Sequence, residues 1–396
     1  MAFVPMKVFK DRQKRIQEFI AEQGLEAVII NTAGNVAMMS GFMLDVEPWE
    51  RPIAFVFPKE GAPFAVLNEL STNHLKMAEK RGSLYVTDYS IYVEHPPTVN
   101  RTWTRDQWAN LLDTRLAERG ITKGVIGVEG YGPTDLLKAN PRFSFVNVSP
   151  FLIKMRMVKY PEEIAIMRDC AALTDFGQDR YMELLKPGGN VKATDARIAA
   201  LMYEEAAKRF PEDRFEVHML TLSGPASAAP HGTGADVGMK FEKGHGVVTI
   251  IVGRLSGLVV ENERTILVGK PNDKQISAFQ AATEACEAAA CMKMVAGTPV
   301  SHADAAAQAV YDKAGFGDNI NHRTGHGVGI IGHEYPGRYA LPAPPVLGER
   351  GLLGRTRHLH LWSGRFRHDD TVVVGKKKPE ILTKRSKKLE DQIVLK

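Results

Sequence analysis

His322-Arg323-Thr324-Gly325-His326-Gly327-Val328-Gly329-Ile330-Ile331-Gly332-His333-Glu334 is the stretch that decides how this chain is read. His326 and His333 stand seven residues apart in a run of glycines. Glycine lets backbone and imidazoles crowd one point, and imidazole is both a metal ligand and a base near neutral pH. Alone, the run also reads as a glycine-rich turn with incidental histidines. It does not stand alone. Upstream lie Ala229-Pro230-His231-Gly232 and then Gly257-Leu258-Val259-Val260-Glu261-Asn262-Glu263-Arg264-Thr265. Downstream lies Phe366-Arg367-His368-Asp369-Asp370-Thr371.

The frame around these clusters is that of a two- or three-domain globular protein: 396 residues, 44% hydrophobic and 24% charged. No apolar run reaches the ~18 residues of a membrane span, and the N-terminus lacks an apolar signal core, so no membrane partner is expected. Cys170, Cys286 and Cys291 have no metal-type spacing and read as reduced thiols of a cytoplasmic protein. The net charge of +5 resides in Lys376–Lys396, with eight basic residues against three acidic. Without interleaved aromatics this segment reads as a solvated C-terminal extension, not a nucleic-acid contact.

Residues 1–155 read as an α/β domain. Val8 to Gln23 has helical spacing and ends at Gly24; Ala27-Val28-Ile29-Ile30 is a buried-strand run. Residues 53–57 and 64–67 read as a hairpin around Lys59-Glu60-Gly61, and Asn35 to Phe42 as a strand end and turn. The junction falls at Ile153 to Glu163, where Pro161 suits a first helical turn. Residues 156–375 form the second domain: two helices broken at Pro187-Gly188-Gly189, site-bearing strands that include Val247 to Val252, an alanine-rich helix from Ser277 to Met294, and a further helix after Pro299. Residues 376–396 form the basic tail.

The four polar clusters, in this order, resemble peptidase family M24, which includes methionine aminopeptidase, Xaa-Pro dipeptidase and creatinase. The resemblance implies an α/β (α+β) chain: a creatinase-type N-terminal domain followed by a pita-bread catalytic domain. It also implies a homodimer. Most members hold two divalent metals with two Asp, one His and two Glu, since such ions take carboxylate and imidazole and the pair activates water. The resemblance places the first Asp at Ile250, which cannot ligate. It places the second at Glu261, the His at His326 and the last Glu at Asp369. The remaining Glu belongs to a Glu-Pro-Gly motif that is absent between Glu334 and Phe366. Three ligand positions survive, Glu261, His326 and Asp369, and the competing reading of the two acids is an ion pair with Arg264 or Arg367. In creatinase, the metal-free member, a base matches His231 and a substrate carboxylate matches Glu263, with His326 and His333 as the imidazole cluster.

Between Gly337 and Arg365 the chain departs from the family pattern and carries five arginines and two histidines against Glu349. One reading is a divergent basic loop outside the fold, which leaves the sheet one strand short. The other is a frameshift. With Arg as CGN and Leu as CTN, reading one base later from Glu349 permits S-V-V-F-S-V-E-P-G-I-Y-I, which contains the missing Glu-Pro-Gly.

The sequence therefore predicts an M24 hydrolase cleaving a C–N bond of a small amide or dipeptide. The favoured form is creatinase-like with a degraded metal site: His231 and His326 catalytic, Glu263 and His333 substrate-binding. It uses either no cofactor or one divalent metal (Mn, Co or Zn). The alternatives are a single-metal Xaa-Pro dipeptidase on Glu261, His326 and Asp369, and a non-catalytic or frameshift-damaged homologue.

Overall fold

The computed structural model describes residues 4–43, 50–93, 104–130, 140–228, 239–320, 324–335, 352–354, 359–361 and 364–395, with the backbone alone for 104–106, 290–293 and the strand segments between 352 and 365. The chain divides into two compact units, Phe3–Arg156 and Met157–Lys396 with Met1–Ala2.

In the first unit, α1 (Met6–Gln23) buries Val8, Phe9, Ile16 and Ile20 and stops at Gly24, whose φ of 65° is left-handed. A six-stranded sheet follows, ordered β4-β3-β2-β1-β5-β6. Its strands are β1 (Ala27–Ile30), β2 (Ala54–Pro58), β3 (Phe64–Asn68), β4 (Tyr89–Tyr92), β5 (Gly124–Val128) and β6 (Phe143–Asn147). The β2/β3 hairpin expected around Gly61 forms, with Val56 opposite Phe64. The turn expected at Asn35–Phe42 does not: Ala33–Ser40 is helix α2. Its entry is anchored from far away, because Glu129 Oε2 accepts the amides of Asn31 and Thr32, the two residues ahead of the helix, at 3.2 and 3.0 Å. That acceptor lies at the end of β5, so no local pattern announces the helix. Helices α3 (Ser71–Arg81), α4 (Thr104–Glu118) and α5 (Ser149–Met157) complete the run up to the second unit.

The second unit opens with α6 (Pro161–Leu184) and α7 (Val191–Arg209), the latter capped by Asn190 Oδ1. Three long antiparallel strands follow: β7 (Phe215–Ser223), β8 (Gly246–Leu255) and β9 (Leu258–Val268). Ser256 (φ 46°) and Gly257 (φ 89°) make the two-residue turn between the last pair. Helix α8 (Asp273–Lys293) starts before the expected Ser277 because Asn272 Oδ1 accepts the Gln275 amide at 2.9 Å. Helix α9 (Ser301–Lys313) packs with it over an alanine-rich core.

A second sheet, ordered β10-β11-β14-β15, contains β10 (His326–Gly327), β11 (Leu352–Gly354), β14 (Thr371–Val373) and β15 (Glu380–Ile381). The short pair β12 (Leu359–Leu361) and β13 (Gly364–Phe366) lies between. Two expectations are corrected here. The 337–365 segment does not leave the sheet a strand short: uncharged Leu352–Gly354 pairs with β10 on one side and β14 on the other. Residues 376–396 are not a solvated extension. β16 (Ile393–Val394) pairs parallel to β9, and Lys387 Nζ lies 2.6 Å from Asp370. Lys387 thus serves a buried carboxylate and Arg385 pairs with Asp179, while Lys376, Lys377, Lys378, Lys384 and Lys388 are exposed. Cys170 and Cys286 are buried free thiols, while the Cys291 side chain lies outside the described residues. Among the described residues, no helix is long and apolar enough to cross a membrane.

Candidate active site

The site is built on one face of β8 and β9. Alternation along a strand puts Glu261 and Glu263 on the same face, and the antiparallel register sets Val252 opposite Glu261 and Ile250 opposite Glu263. The next strand continues the row, with Leu220 opposite Ile250 and Leu222 opposite Val248. One half of the face is therefore aliphatic (Leu220, Leu222, Val248, Ile250, Val252). The other half is carboxylate and imidazole. Ile250, at the expected first ligand position, and Val252 are the members of the aliphatic row that face the acids across the ladder.

Each acid has its own setting. Glu263 is fully buried and ion-paired with Arg367 Nε. Its backbone exchanges two hydrogen bonds with Asp369, at 3.2 and 3.0 Å, which stitches β9 to the downstream cluster. The Asp369 carboxylate is also buried, 3.9 Å from Arg367 Nε. Of the two acids given the ion-pair reading, Asp369 reaches Arg367 at 3.9 Å, while Glu261 meets His326; the direct partner of Arg367 is Glu263, which that reading did not name. Arg264 turns the other way, to Asp370 Oδ1 at 2.8 Å. Burial pushes the Asp370 carboxyl up, but the Arg264 and Lys387 cations outweigh it and hold this acid well below the usual carboxylate range. His368 packs edge-on against Phe279, with centroids 4.7 Å apart. Burial, reinforced by Arg264 and Lys387, keeps its imidazole neutral.

Glu261 faces the glycine-rich stretch. His326 is fully buried, and its Nδ1 lies 2.9 Å from the carbonyl of Gly327. A carbonyl only accepts, so Nδ1 carries a proton. Nε2 faces Glu261 Oε2, 3.5 Å away. With the ring charged the two form an ion pair; with the ring neutral two acceptors face each other, an arrangement that suits a cation between them. His333, largely exposed, stacks on His326 at 3.8 Å with an interplanar angle of 19°. One donor atom from each of Glu261, His326 and His333 lies within 4.8 Å of the others. Asp369 is not in that group. His231 lies outside the described residues.

One carboxylate and two imidazoles fit a borderline divalent ion such as zinc, cobalt or manganese. Ile250, at the expected first ligand position, offers no donor, and Arg367 offsets one of the two neighbouring carboxylates, Glu263 and Asp369. The sequence signalled Glu261, His326 and His333. It did not signal Arg367 as the partner of Glu263, because that pairing depends on the β9–Asp369 bridge between segments more than a hundred residues apart.

A creatinase/prolidase-type N-terminal unit joined to a metallopeptidase-type unit is the class this architecture defines. The profile of the creatinase/prolidase N-terminal domain matches residues 12–158, and that of metallopeptidase family M24 matches residues 165–357. The chain belongs to metallopeptidase family M24 and is a hydrolase of that family. It is similar to the Xaa-Pro dipeptidases of Pyrococcus horikoshii (25% identity, 97% of this chain and 100% of that one) and Pyrococcus furiosus (27%, 96% and 99%). The crystal structure of the Pyrococcus horikoshii prolidase shares the fold, with a TM-score of 0.78 at 24% identity over 96% of this chain and 99% of that one.

Proposed function

We propose that this M24 peptidase cleaves small peptides, with a dipeptide as substrate, using one divalent cation held by Glu261, His326 and His333. The observation that carries the reading is the Nε2–carboxylate confrontation at 3.5 Å, with His333 stacked beside it. Charge supports a count of one. Glu261, Glu263 and Asp369 against Arg367 leave two negative charges when the imidazoles are neutral, which one dication balances. When bound, such an ion polarises a carbonyl and lowers the pKa of a bound water. The chain's own residues do the rest. The Gly327 carbonyl fixes the His326 tautomer, as outer-sphere partners of ligating histidines do. The aliphatic row on β7 and β8 keeps water from one side of the acids, and Arg367 holds Glu263 away from substrate. The similarity to Xaa-Pro dipeptidases supports the substrate class.

Ile250 supports a second reading, the creatinase-like enzyme with His231 as base, since a bridging ligand position is aliphatic. That reading has lost ground at Glu263. Arg367 already supplies the guanidinium that this carboxylate would offer to a substrate. Metal content after dialysis, alongside hydrolysis of Xaa-Pro dipeptides and creatine, separates the two. One retained equivalent with dipeptide cleavage is expected. Two equivalents would sink the single-cation site; creatine turnover without metal, abolished in His231→Ala, would establish the second reading.

A further inference from the structure

We propose that Lys159 is a positioning residue that acts through Glu334 to set His333 against His326 and Glu261; the inference rests on the reading that these three side chains hold a cation. His333 is exposed, yet it stacks flat on a fully buried ring. The loop on which it sits helps to hold it there. Glu334 N donates to the Gly327 carbonyl at 2.7 Å and closes the loop at its base. Val259 N donates to the Gly329 carbonyl at 2.8 Å, and Arg254 Nη1 to the Ile330 carbonyl at 2.9 Å, tying the outer arm to the β8/β9 hairpin.

The stretch around His333 is held by the Glu334 carboxylate. Oε1 accepts the Ile331 amide at 3.1 Å, and Oε2 accepts Lys159 Nζ at 3.1 Å. The two charged side chains are 4% and 2% exposed. Lys159 lies just ahead of α6, 175 residues away in sequence, and reaches in beneath the loop. A Cβ on Gly329 would meet Lys159 Cε at 2.7 Å, Lys159 Nζ at 2.9 Å and Glu334 Oε1 at 3.0 Å. The lysine tip thus fills the space that the glycine leaves. Glu334 binds on both sides of His333, through its own amide behind it and through the Ile331 amide ahead of it. Each of the two buried charges is the counter-charge that the other needs there. Lys159 therefore reaches the site without touching it.

The test uses the full chain with ¹³C-labelled histidine, His333→Ala to assign the His333 ring signal, and Co²⁺ as the probe ion. Lys159→Met is expected to shift the His333 ring signal away from its stacked position and to weaken Co²⁺ binding at least tenfold. Lys159→Arg should recover most of both. Adding His333→Ala to Lys159→Met should cost no further affinity, because His333 is already out of position. An unmoved His333 signal in folded Lys159→Met, with only thermal stability reduced, would overturn the proposal and leave the pair a plain structural staple. If the wild type binds no Co²⁺, the cation reading fails, and the ring signal alone still decides the role of Lys159. Should Lys159→Met not fold, the uncharged pair Lys159→Met/Glu334→Gln carries the same comparison, with the same expected shift and the same overturning result.

Discussion

Replacing Ile250 by aspartate puts a carboxylate back at the strand position where most M24 enzymes carry one, and its cost can be worked from the register. Ile250 is 4% exposed and directly opposite Glu263. Cross-strand neighbours place their Cβ atoms about 5 Å apart. Two like charges at that separation repel by about 3 kcal/mol at an effective dielectric constant near 20. Loss of the aliphatic side chain adds about 2–5 kcal/mol. Ile250→Asn removes nearly the same volume without charge, so the gap between the Asn and Asp variants reads the electrostatic part alone. In chelator, denaturant titration should find the Asp variant about 3 kcal/mol less stable than the Asn variant, less whatever attraction Arg367 contributes. Manganese should close much of that gap, since a ligand at a hundred times its Kd stabilises by about 2.7 kcal/mol. The reasoning fails if Asp and Asn variants are equally stable in chelator, or if manganese stabilises both to the same extent.

Glu263→Gln removes the direct partner of the buried Arg367 and leaves it Asp369 at 3.9 Å, so it should cost stability by up to about 3–5 kcal/mol with little change in KM for a neutral dipeptide; a raised KM at unchanged stability would return Glu263 to a substrate role. Asp370 has a folded pKa below its unfolded one, so its stabilising contribution is complete above about pH 4 and is lost as pH falls towards the folded value. The stability gap between wild type and Asp370→Asn should accordingly stay flat from pH 7 to 5 and shrink below about pH 4, and a gap that does not narrow in acid would refute the assignment.

How much could be read in advance varied with the range of the signal. The helix ending at Gly24, the β2/β3 hairpin and the β8 strand all follow from local periodicity, and they form. Helix α2 was missed because its anchor, Glu129, comes from another strand. The C-terminal segment was misread because charge composition says nothing of partners. Its Lys387 meets Asp370, and the Arg385 carbonyl accepts Arg264 Nε at 3.0 Å. In the site, the spacing in the glycine-rich run pointed to His326 and His333, and the family resemblance to Glu261; it also named Asp369 as a ligand and gave His333 to the substrate, whereas His333 is the residue grouped with Glu261 and His326. Which acid belongs to the imidazoles and which to Arg367 is a matter of register, and register is non-local.

The 337–365 segment raises the remaining question, because the fold uses a part of it that the written chemistry does not suit. β11 pairs Gly354 with His326 on one side and with Thr371 on the other, so the chain here runs between two site-bearing segments. In the written frame the residues that follow Gly354 are Arg355-Thr356-Arg357. In the frame one base later, codon 355 permits Glu, followed by Pro and Gly. The missing carboxylate would then fall one residue beyond the ladder partner of His326. The written sequence thus offers guanidinium side chains where the family's Glu-Pro-Gly motif would offer a carboxylate ligand. A frameshift is therefore proposed, bounded by one single-base change at or before codon 349 and a compensating one near codon 365. Resequencing the gene should find both. The repaired chain should melt higher in the presence of manganese and hydrolyse Xaa-Pro dipeptides faster than the chain as written. A gene that confirms the written frame, together with a written chain that is fully active, would refute the frameshift and require a function for Arg355 and Arg357 as they stand.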